Sequence, residues 1–238
     1  MNNSLVTENV RVSENARVSE NAWIFGNARV SGNAWVSENA RVGENAWIFG
    51  NARVSGNAWV GENAQVSGTA QVSGTARVSG TARVSVNARV SENVRVSEDA
   101  WVSGNARVSG NALIFGNAQI FGTARVSGNA RVGENARVSW NARVSGNARV
   151  SGNARVSENV RVSGNARVSG DVRISGDVRV GGEAEINSSK DWSFIAPNLT
   201  IYRSRCAERY EIRNGEGALV SFETLSEVQL AEFFNWFI

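Results

Sequence analysis

The side chains in this sequence that could do chemistry are its arginines, its tryptophans, a few carboxylates and one cysteine. Arginine and tryptophan recur at intervals of six, as in Arg41, Trp47, Arg53 and Trp59. The chain has 25 basic and 22 acidic residues and no histidine, which gives a formal net charge of +3. A guanidinium group binds carboxylates and phosphates and stacks on aromatic rings, so this composition favours binding chemistry.

A six-residue unit positions these side chains. Residues 3–188 divide into 31 consecutive hexads without insertion or deletion, and their consensus is Asn-Ala-Arg-Val-Ser-Gly. The fourth place is always Val or Ile and the second is nearly always Ala. Residues two apart on a strand share a face, so this pattern predicts a buried Ala/Val face and an outward Arg/Ser face. The last two places are rich in turn formers.

The turn residues of neighbouring hexads vary together. One residue of each corner is expected to need a left-handed backbone, which Gly and Asn tolerate and β-branched residues do not. Where the first corner residue is not Gly, as at Glu62, Val86 and Trp140, an Asn follows it, except that Asp99 follows Glu98. The pattern therefore predicts that each corner has one residue that permits a left-handed backbone.

A short strand and a two-residue corner in every hexad resemble the hexapeptide repeat of the left-handed β-helix family. The resemblance implies an all-β, single-stranded left-handed parallel β-helix over residues 1–188, with about ten coils of 18 residues. Composition changes after Ser188. We expect residues 189–238 to form a small α+β C-terminal cap, with strands at 199–203 and 218–222 and a helix at 225–237 that begins at a capping box.

Catalytic groups are scarce. The best-known enzymes of the family this chain resembles are acyltransferases with a histidine base and carbonic anhydrases with histidine-bound metal, and a chain without histidine can use neither mechanism. Cys206 is single and has no histidine partner. Asp171, Asp177 and Glu183 lie six apart, which predicts different edges of a prism. We therefore predict that the chain is not an enzyme and uses no cofactor and no metal.

The chain also has no leader-like N-terminus and no apolar run long enough to cross a membrane. These observations predict a cytoplasmic protein without membrane contact.

Residues 18 apart are expected to stack on one face. Between residues 101 and 182 there are 11 arginines and four acids. One interpretation is a polyanion-binding face, with nucleic acid as the first candidate, although the coil spacing does not match duplex phosphate spacing. The alternative is a soluble surface residue copied as the repeat duplicated. The longest predicted ladder contains Arg89, Arg107, Arg125, Arg143, Arg161 and Arg179.

The N-terminal half alternates tryptophan with arginine on each face, which predicts cation–π pairs. Phe25 and Phe115 are expected to cover Gly43 and Gly133, their neighbours 18 residues on. Three interpretations stay open: aromatic ladders that stiffen the sheets, a base-stacking platform, and a contact surface for a protein partner. The tryptophans concerned are Trp23, Trp35, Trp47 and Trp59.

The first coil is expected to expose apolar residues and unpaired backbone, which predicts self-association through Leu5, Val6, Val10 and Val12, most simply as a twofold dimer.

These features lead to one function hypothesis and one alternative. The first is a rigid, non-catalytic β-solenoid scaffold that acts by protein–protein contact or self-association, and the near-pure tandem resembles bacterial and phage hexapeptide-repeat proteins, which implies such an origin. The alternative is a protein that binds nucleic acid or another polyanion through its arginine ladders. An ice-binding role is disfavoured because the outward rows are Arg and Ser instead of a flat threonine array.

Overall fold

The computed structural model describes residues 5–186, except residues 8, 14, 20 and 177, together with the backbone of three strands between residues 200 and 222. In this part of the chain every hexad contributes one short strand and there is no helix. Successive strands belong in turn to three parallel sheets, which we call faces 1, 2 and 3. The chain thus winds as a three-sided β-solenoid, as the hexad pattern predicts.

Face 1 contains Leu5–Val6, Trp23–Ile24, Arg41–Val42, Trp59–Val60, Arg77–Val78, Arg95–Val96, Leu113–Ile114, Arg131–Val132, Arg149–Val150, Arg167–Val168 and Glu185–Ile186. Face 2 contains Arg11–Val12, Arg29–Val30, Trp47–Ile48, Gln65–Val66, Arg83–Val84, Trp101–Val102, Gln119–Ile120, Arg137–Val138, Arg155–Val156 and Arg173–Ile174. Face 3 contains Arg17–Val18, Trp35–Val36, Arg53–Val54, Gln71–Val72, Arg89–Val90, Arg107–Val108, Arg125–Val126, Arg143–Val144, Arg161–Val162 and Arg179–Gly182.

Each strand pairs in parallel with the strand 18 residues away, in exact register. Trp59 lies opposite Arg77 and Val60 opposite Val78. The corners between strands are named here by the faces they join: 1–2, 2–3 and 3–1. Because the register is constant, every outward side chain lies over its counterpart in the next coil.

The core is a column of stacked Val, Ile and Ala side chains. From Ala22 to Ile186 the inward residues are fully or almost fully buried, and each buried Val or Ile contributes about 1.5–3 kcal/mol to folding. Among the described residues, no buried side-chain nitrogen or oxygen lacks a hydrogen-bond partner. The three faces therefore share one continuous apolar core.

The corners correct the prediction that a permissive residue takes the left-handed backbone at each corner. In the described corners from residue 26 onward the left-handed residue is always the first one, including Glu62 (φ 57°), Val86 (φ 60°) and Trp140 (φ 56°). The Asn that follows does not take this conformation. The coil turns at its first corner residue whatever the side chain, so non-glycine residues accept a strained backbone at this place.

Asparagine occupies the second corner place because its amide forms a ladder with the coils above and below. At corner 3–1, Asn111 Nδ2 donates to Asn129 Oδ1 (3.1 Å) and Asn129 Nδ2 donates to Asn147 Oδ1 (3.0 Å). At corner 1–2 such a run ends where Asn153 Nδ2 donates to Asp171 Oδ1 (2.6 Å). These ladders join consecutive coils along the rod, as stacked amides do in other in-register sheets.

Glutamate at the first corner place adds a second bond between coils. Glu98 Oε2 accepts a hydrogen bond from the backbone N–H of Gly116 (2.9 Å), and Glu134 Oε2 accepts one from Gly152 (2.7 Å). Bonds to a charged acceptor are stronger than neutral ones, so they offset part of the cost of a left-handed glutamate.

Aromatic rings cover glycines on the outward faces, as predicted. A Cβ atom at Gly43 would lie 2.2 Å from ring atoms of Phe25, and one at Gly133 would lie 2.1 Å from the ring of Phe115. Gly therefore replaces the consensus Ser at these two places because the ring of the preceding coil fills the space.

Face 3 continues beyond the hexads. Arg179–Gly182 pairs in parallel with Thr200–Arg203, followed by the antiparallel strands Tyr210–Arg213 and Leu219–Phe222. The strands predicted at 199–203 and 218–222 are thus present, and the middle strand was not predicted. The predicted helix at 225–237 lies outside the described residues, and the domain boundary at residue 188 stays a prediction. Within the described part of the chain, no helix is long and apolar enough to span a membrane.

We expect Val86→Gly to stabilise the protein by about 1 kcal/mol. The left-handed backbone costs a β-branched residue about 1–2 kcal/mol, which glycine avoids. The greater flexibility of glycine in the unfolded chain offsets only part of this stabilisation. Val86 is 51% exposed, so little buried apolar surface is lost. Thermal unfolding followed by circular dichroism measures the change. Gly68→Val is the matched control and should destabilise, since its Cβ would meet the Val86 backbone at 2.9 Å. A lower melting temperature for Val86→Gly would contradict this account of the corner.

Gly43→Ser should destabilise the protein by about 1–3 kcal/mol, because the added side chain overpacks against the ring of Phe25. In the Phe25→Ser background the same change restores the consensus at both places and should cost almost nothing. A double-mutant cycle of unfolding free energies measures this coupling. Additive effects of the two substitutions would show that the ring does not cover Gly43.

Candidate functional site

Face 3 carries an unbroken arginine ladder, which we call the arginine face. Each arginine lies opposite the next in the sheet register, and the six side chains are exposed. At a strand spacing of about 4.8 Å, five intervals span roughly 24 Å. The arginine face consists of Arg89, Arg107, Arg125, Arg143, Arg161 and Arg179.

These guanidinium groups have no carboxylate partner within the described residues. The one ion pair formed there joins Arg167 Nη1 to Glu185 Oε1 at 2.9 Å, on face 1. Like charges in adjacent strands repel, and arginine tolerates this because its planar head can stack and its stem covers the sheet. Among the described residues, the arginine face thus presents positive charge that no ion pair neutralises.

The acidic residues beside the middle of the arginine face lie on the opposite edge of the prism. Between Arg95 and Arg155 the chain has three acids, Glu98, Asp99 and Glu134, and all three are at corner 1–2, which faces away from the arginine face. Toward the two ends of the arginine face, acids lie at corners that border face 3: Glu158, Glu183, and Glu92, whose carboxylate accepts the N–H of Gly110 at 2.7 Å. In the sequence, Asp177 also precedes Arg179 by two residues. Positive and negative charge are therefore separated across the rod in its middle, around Arg107, Arg125 and Arg143.

The predicted Trp–Arg pairs are formed in the N-terminal half. Arg41 lies 5.5 Å from the ring centre of Trp23, Arg53 5.7 Å from Trp35, and Arg29 6.0 Å from Trp47. Trp23 also packs against Phe25, and Trp47 packs against Phe49. The indole of Trp35 donates to Ser19 Oγ at 3.1 Å. These contacts anchor the rings to the sheet surface.

A groove open to solvent runs along face 1 beside corner 3–1. Its volume is about 530 Å³. The glycines at positions 43 and 61 leave space on this face, and the rings of Phe25 and Trp59 lie over them. The groove is lined by Trp23, Phe25, Asn39, Arg41, Asn57, Trp59 and Arg77.

The first coil is exposed where later coils are buried. The inward residue Val6 is 47% exposed and Val12 is 40% exposed, whereas Ile24, one coil later, is fully buried. The outward residue Leu5 is 54% exposed, and Val10 is partly buried against the core. Self-association through this coil stays a prediction.

The predicted residues occupy three separate surfaces and do not converge on one site. Trp23 and Trp59 are on face 1, Trp47 is on face 2, and Trp35 is on face 3 below the arginine face. The described residues contain no group of three acidic or cysteine side chains placed to hold a metal. Sequence reasoning missed the separation of acids from arginines, although arranging the sequence in rows of 18 would have displayed it.

The YdcK β-solenoid repeat family matches nine segments of the chain between residues 22 and 176, which together cover just under half of it. The matched segments are residues 22–38, 46–62, 100–116, 106–122, 118–134, 124–140, 142–158, 148–164 and 160–176. No curated protein matches the sequence significantly.

Several solved structures are similar in fold. The UDP-N-acetylglucosamine O-acyltransferase of Moraxella catarrhalis is 11% identical, with 90% of this chain and 73% of that chain covered and a TM-score of 0.36. The Campylobacter jejuni acyltransferase is 13% identical, with 95% and 83% covered and a TM-score of 0.35. A putative acetyltransferase of Bacillus cereus is 7% identical, with 82% and 94% covered and a TM-score of 0.27.

These comparisons contradict the prediction that the chain is not an enzyme, because the similar solved structures are acyltransferases and an acetyltransferase. That prediction is wrong because it took the missing histidine as evidence against all catalysis, whereas it argues only against histidine-dependent mechanisms. At 7–14% identity these structures assign no reaction to this chain.

The repeat, its three parallel sheets and the matched segments agree with one another. The chain is a parallel β-solenoid of hexapeptide repeats, and nearly half of it matches the YdcK β-solenoid repeat family.

Proposed function

We propose that the protein is a rigid β-solenoid rod that binds a linear polyanion along its arginine face. The observation that carries this proposal is the separation of charge in the middle of the rod, where Arg107, Arg125 and Arg143 stack on face 3 and the three acids between Arg95 and Arg155 lie at the opposite corner. A surface of one sign attracts opposite charge and raises its local concentration. A polyanion that approaches this rod meets its most positive potential at face 3.

Rigidity supports the same proposal. The stacked coils hold successive guanidinium groups in one register, and the asparagine ladders at the corners bond consecutive coils together. A rod that is already ordered loses little conformational freedom on binding, which leaves more of the interaction energy as affinity. Binding also relieves the repulsion between stacked arginines, so a bound polyanion should raise the melting temperature.

The first experiment is fluorescence anisotropy with a labelled single-stranded oligonucleotide at several salt concentrations. Each phosphate that an arginine neutralises contributes about −0.7 to the slope of log binding constant against log salt concentration. Six such contacts should therefore give a slope of about −4. Replacing Arg125, Arg143 and Arg161 together by Gln should reduce that slope to about −2. Glutamine already occupies this outward place at Gln65, Gln71 and Gln119, so the variant should fold.

The matched control replaces Arg137, Arg155 and Arg173 on face 2 by Gln. It removes the same charge from neighbouring coils and should leave the slope almost unchanged, because face 2 borders the acidic corner. Equal losses in the two triple variants would contradict a specific arginine face, and no binding by the natural sequence at low salt would contradict the proposal as a whole.

A second candidate function is assembly by protein contact. It is favoured by apolar side chains exposed in the first coil, where Leu5 is 54% and Val6 is 47% exposed, and by the tryptophan-rich groove on face 1. In this alternative the rod is a scaffold that associates with a second copy through the first coil, and the groove takes a protein partner.

Sedimentation at micromolar concentration tests this second candidate. Leu5→Arg introduces the consensus residue of the repeat and should preserve the coil, but it places a charge in the predicted contact. A dimer for the natural sequence and a monomer for Leu5→Arg is the expected result. A monomer in both cases, or a dimer in both, would rule out association through Leu5.

A further inference from the structure

Trp140 differs from the other tryptophans of the described chain. It occupies the first residue of a 2–3 corner with a left-handed backbone (φ 56°) and is 66% exposed. Trp23, Trp35, Trp47 and Trp101 are only 40–43% exposed. A large aromatic residue that is both strained and exposed has a conformational cost without the gain of burial.

The other rings are engaged and Trp140 is not. Trp23, Trp35 and Trp47 each lie against an arginine, Trp59 covers Gly61, and Trp101 donates to Ser85 Oγ at 3.0 Å. Within the described residues, Trp140 has no aromatic or cation–π partner, and its indole N–H makes no hydrogen bond. Its ring is therefore available for a ligand.

The corner that holds Trp140 borders the arginine face. Trp140 precedes Arg143 by three residues, and Arg143 lies opposite Arg125 of the preceding coil on face 3. Its backbone is fixed from below, where Thr123 Oγ1 donates to the carbonyl of Trp140 at 2.9 Å. A Cβ at Gly122 would meet the Trp140 nitrogen at 2.7 Å, so the preceding coil has glycine there. The exposed ring is thus held at the rim of the positive surface.

We propose that the polyanion is an unpaired nucleic-acid strand, with a base stacked on Trp140 and adjacent phosphates on Arg125 and Arg143. This inference rests on the proposed function and names its ligand. A stacked base gains from a free aromatic ring, whereas a polyanion without aromatic groups does not. A duplex keeps its bases stacked internally and its phosphates at a fixed spacing, while a single strand adjusts its backbone to the coil spacing.

Glu158 limits the extent of this contact. It follows Trp140 in the same stack of 2–3 corners, one coil nearer the C-terminus. Its negative charge repels phosphate, so we expect the nucleotides next to the stacked base to run from Trp140 across Arg143, Arg125 and Arg107, and the contact with Arg161 to be weaker.

The test compares two labelled strands of equal length and charge, an oligothymidine and an abasic phosphodiester, by fluorescence anisotropy at low salt. The variants are Trp140→Gly, which removes the ring, and Trp140→Phe, which keeps an aromatic ring. The matched control is Trp101→Gln, because Trp101 is also an outward tryptophan but lies on face 2 and is less exposed. Gln65 and Gln119 already occupy the same place on that face.

The natural protein should bind oligothymidine more tightly than the abasic strand. Trp140→Gly should weaken oligothymidine binding about tenfold, the loss expected for one base–aromatic stack, and should leave abasic binding unchanged. Trp140→Phe should retain most of the affinity, and Trp101→Gln all of it. The melting temperature of Trp140→Gly should rise by about 2–4 °C, because glycine relieves the left-handed backbone. If Trp140→Gly binds oligothymidine more weakly although the protein is more stable, the loss of affinity comes from the missing ring and not from a damaged fold.

Equal affinity of the natural protein for both strands, or unchanged oligothymidine binding by Trp140→Gly, would overturn the stacking proposal while leaving a general polyanion site in place. Failure of the natural protein to bind either strand would overturn the polyanion proposal itself.

Discussion

The two-residue corner is the constraint on which the rest of the molecule depends. Its first residue turns the chain with a left-handed backbone, and its second extends a side-chain amide to the coil above. The left-handed residue recurs at every described corner from residue 26 onward, and where the second residue is Thr, as at Thr69, its hydroxyl bonds to the next coil instead of an amide. A coil therefore cannot slip against its neighbour without breaking three corners at once. The strain accepted at Val86 and Trp140 shows how strongly this geometry is imposed, because neither side chain favours it.

An exact 18-residue register turns a one-dimensional sequence into three columns of outward residues. A residue type repeated every third hexad becomes a continuous stripe, so small biases in the sequence become large differences between faces. Arginines on face 3 accumulate into one positive column, while the carboxylates between Arg95 and Arg155 lie at corner 1–2. The same rule places Trp23 beside Arg41 and Phe25 over Gly43. The face on which a side chain lies, and the side chains it stacks on, are therefore determined by its position within the 18-residue coil.

Much of the fold could be predicted because the repeat is uninterrupted: the buried Ala and Val columns, the parallel register and the Trp–Arg pairs all depend on spacing alone. The corner conformation could not, because Asn tolerates both a left-handed backbone and an amide ladder, and spacing does not distinguish them. The glutamate bonds to the next coil, such as Glu98 to Gly116, depend on three-dimensional distances. The prediction about catalysis failed because missing residues exclude particular mechanisms and do not exclude a class of function.

Arginine-specific chemical modification with and without a bound polyanion, followed by mass spectrometry, tests the central claim most directly, because it reports on each guanidinium separately. The account predicts that a bound strand protects the central arginines of face 3, Arg107, Arg125 and Arg143, while Arg131 and Arg149 on face 1 of the same coils stay reactive. Equal protection on all three faces would contradict it, since binding would then follow net charge and not the separation of charge across the rod.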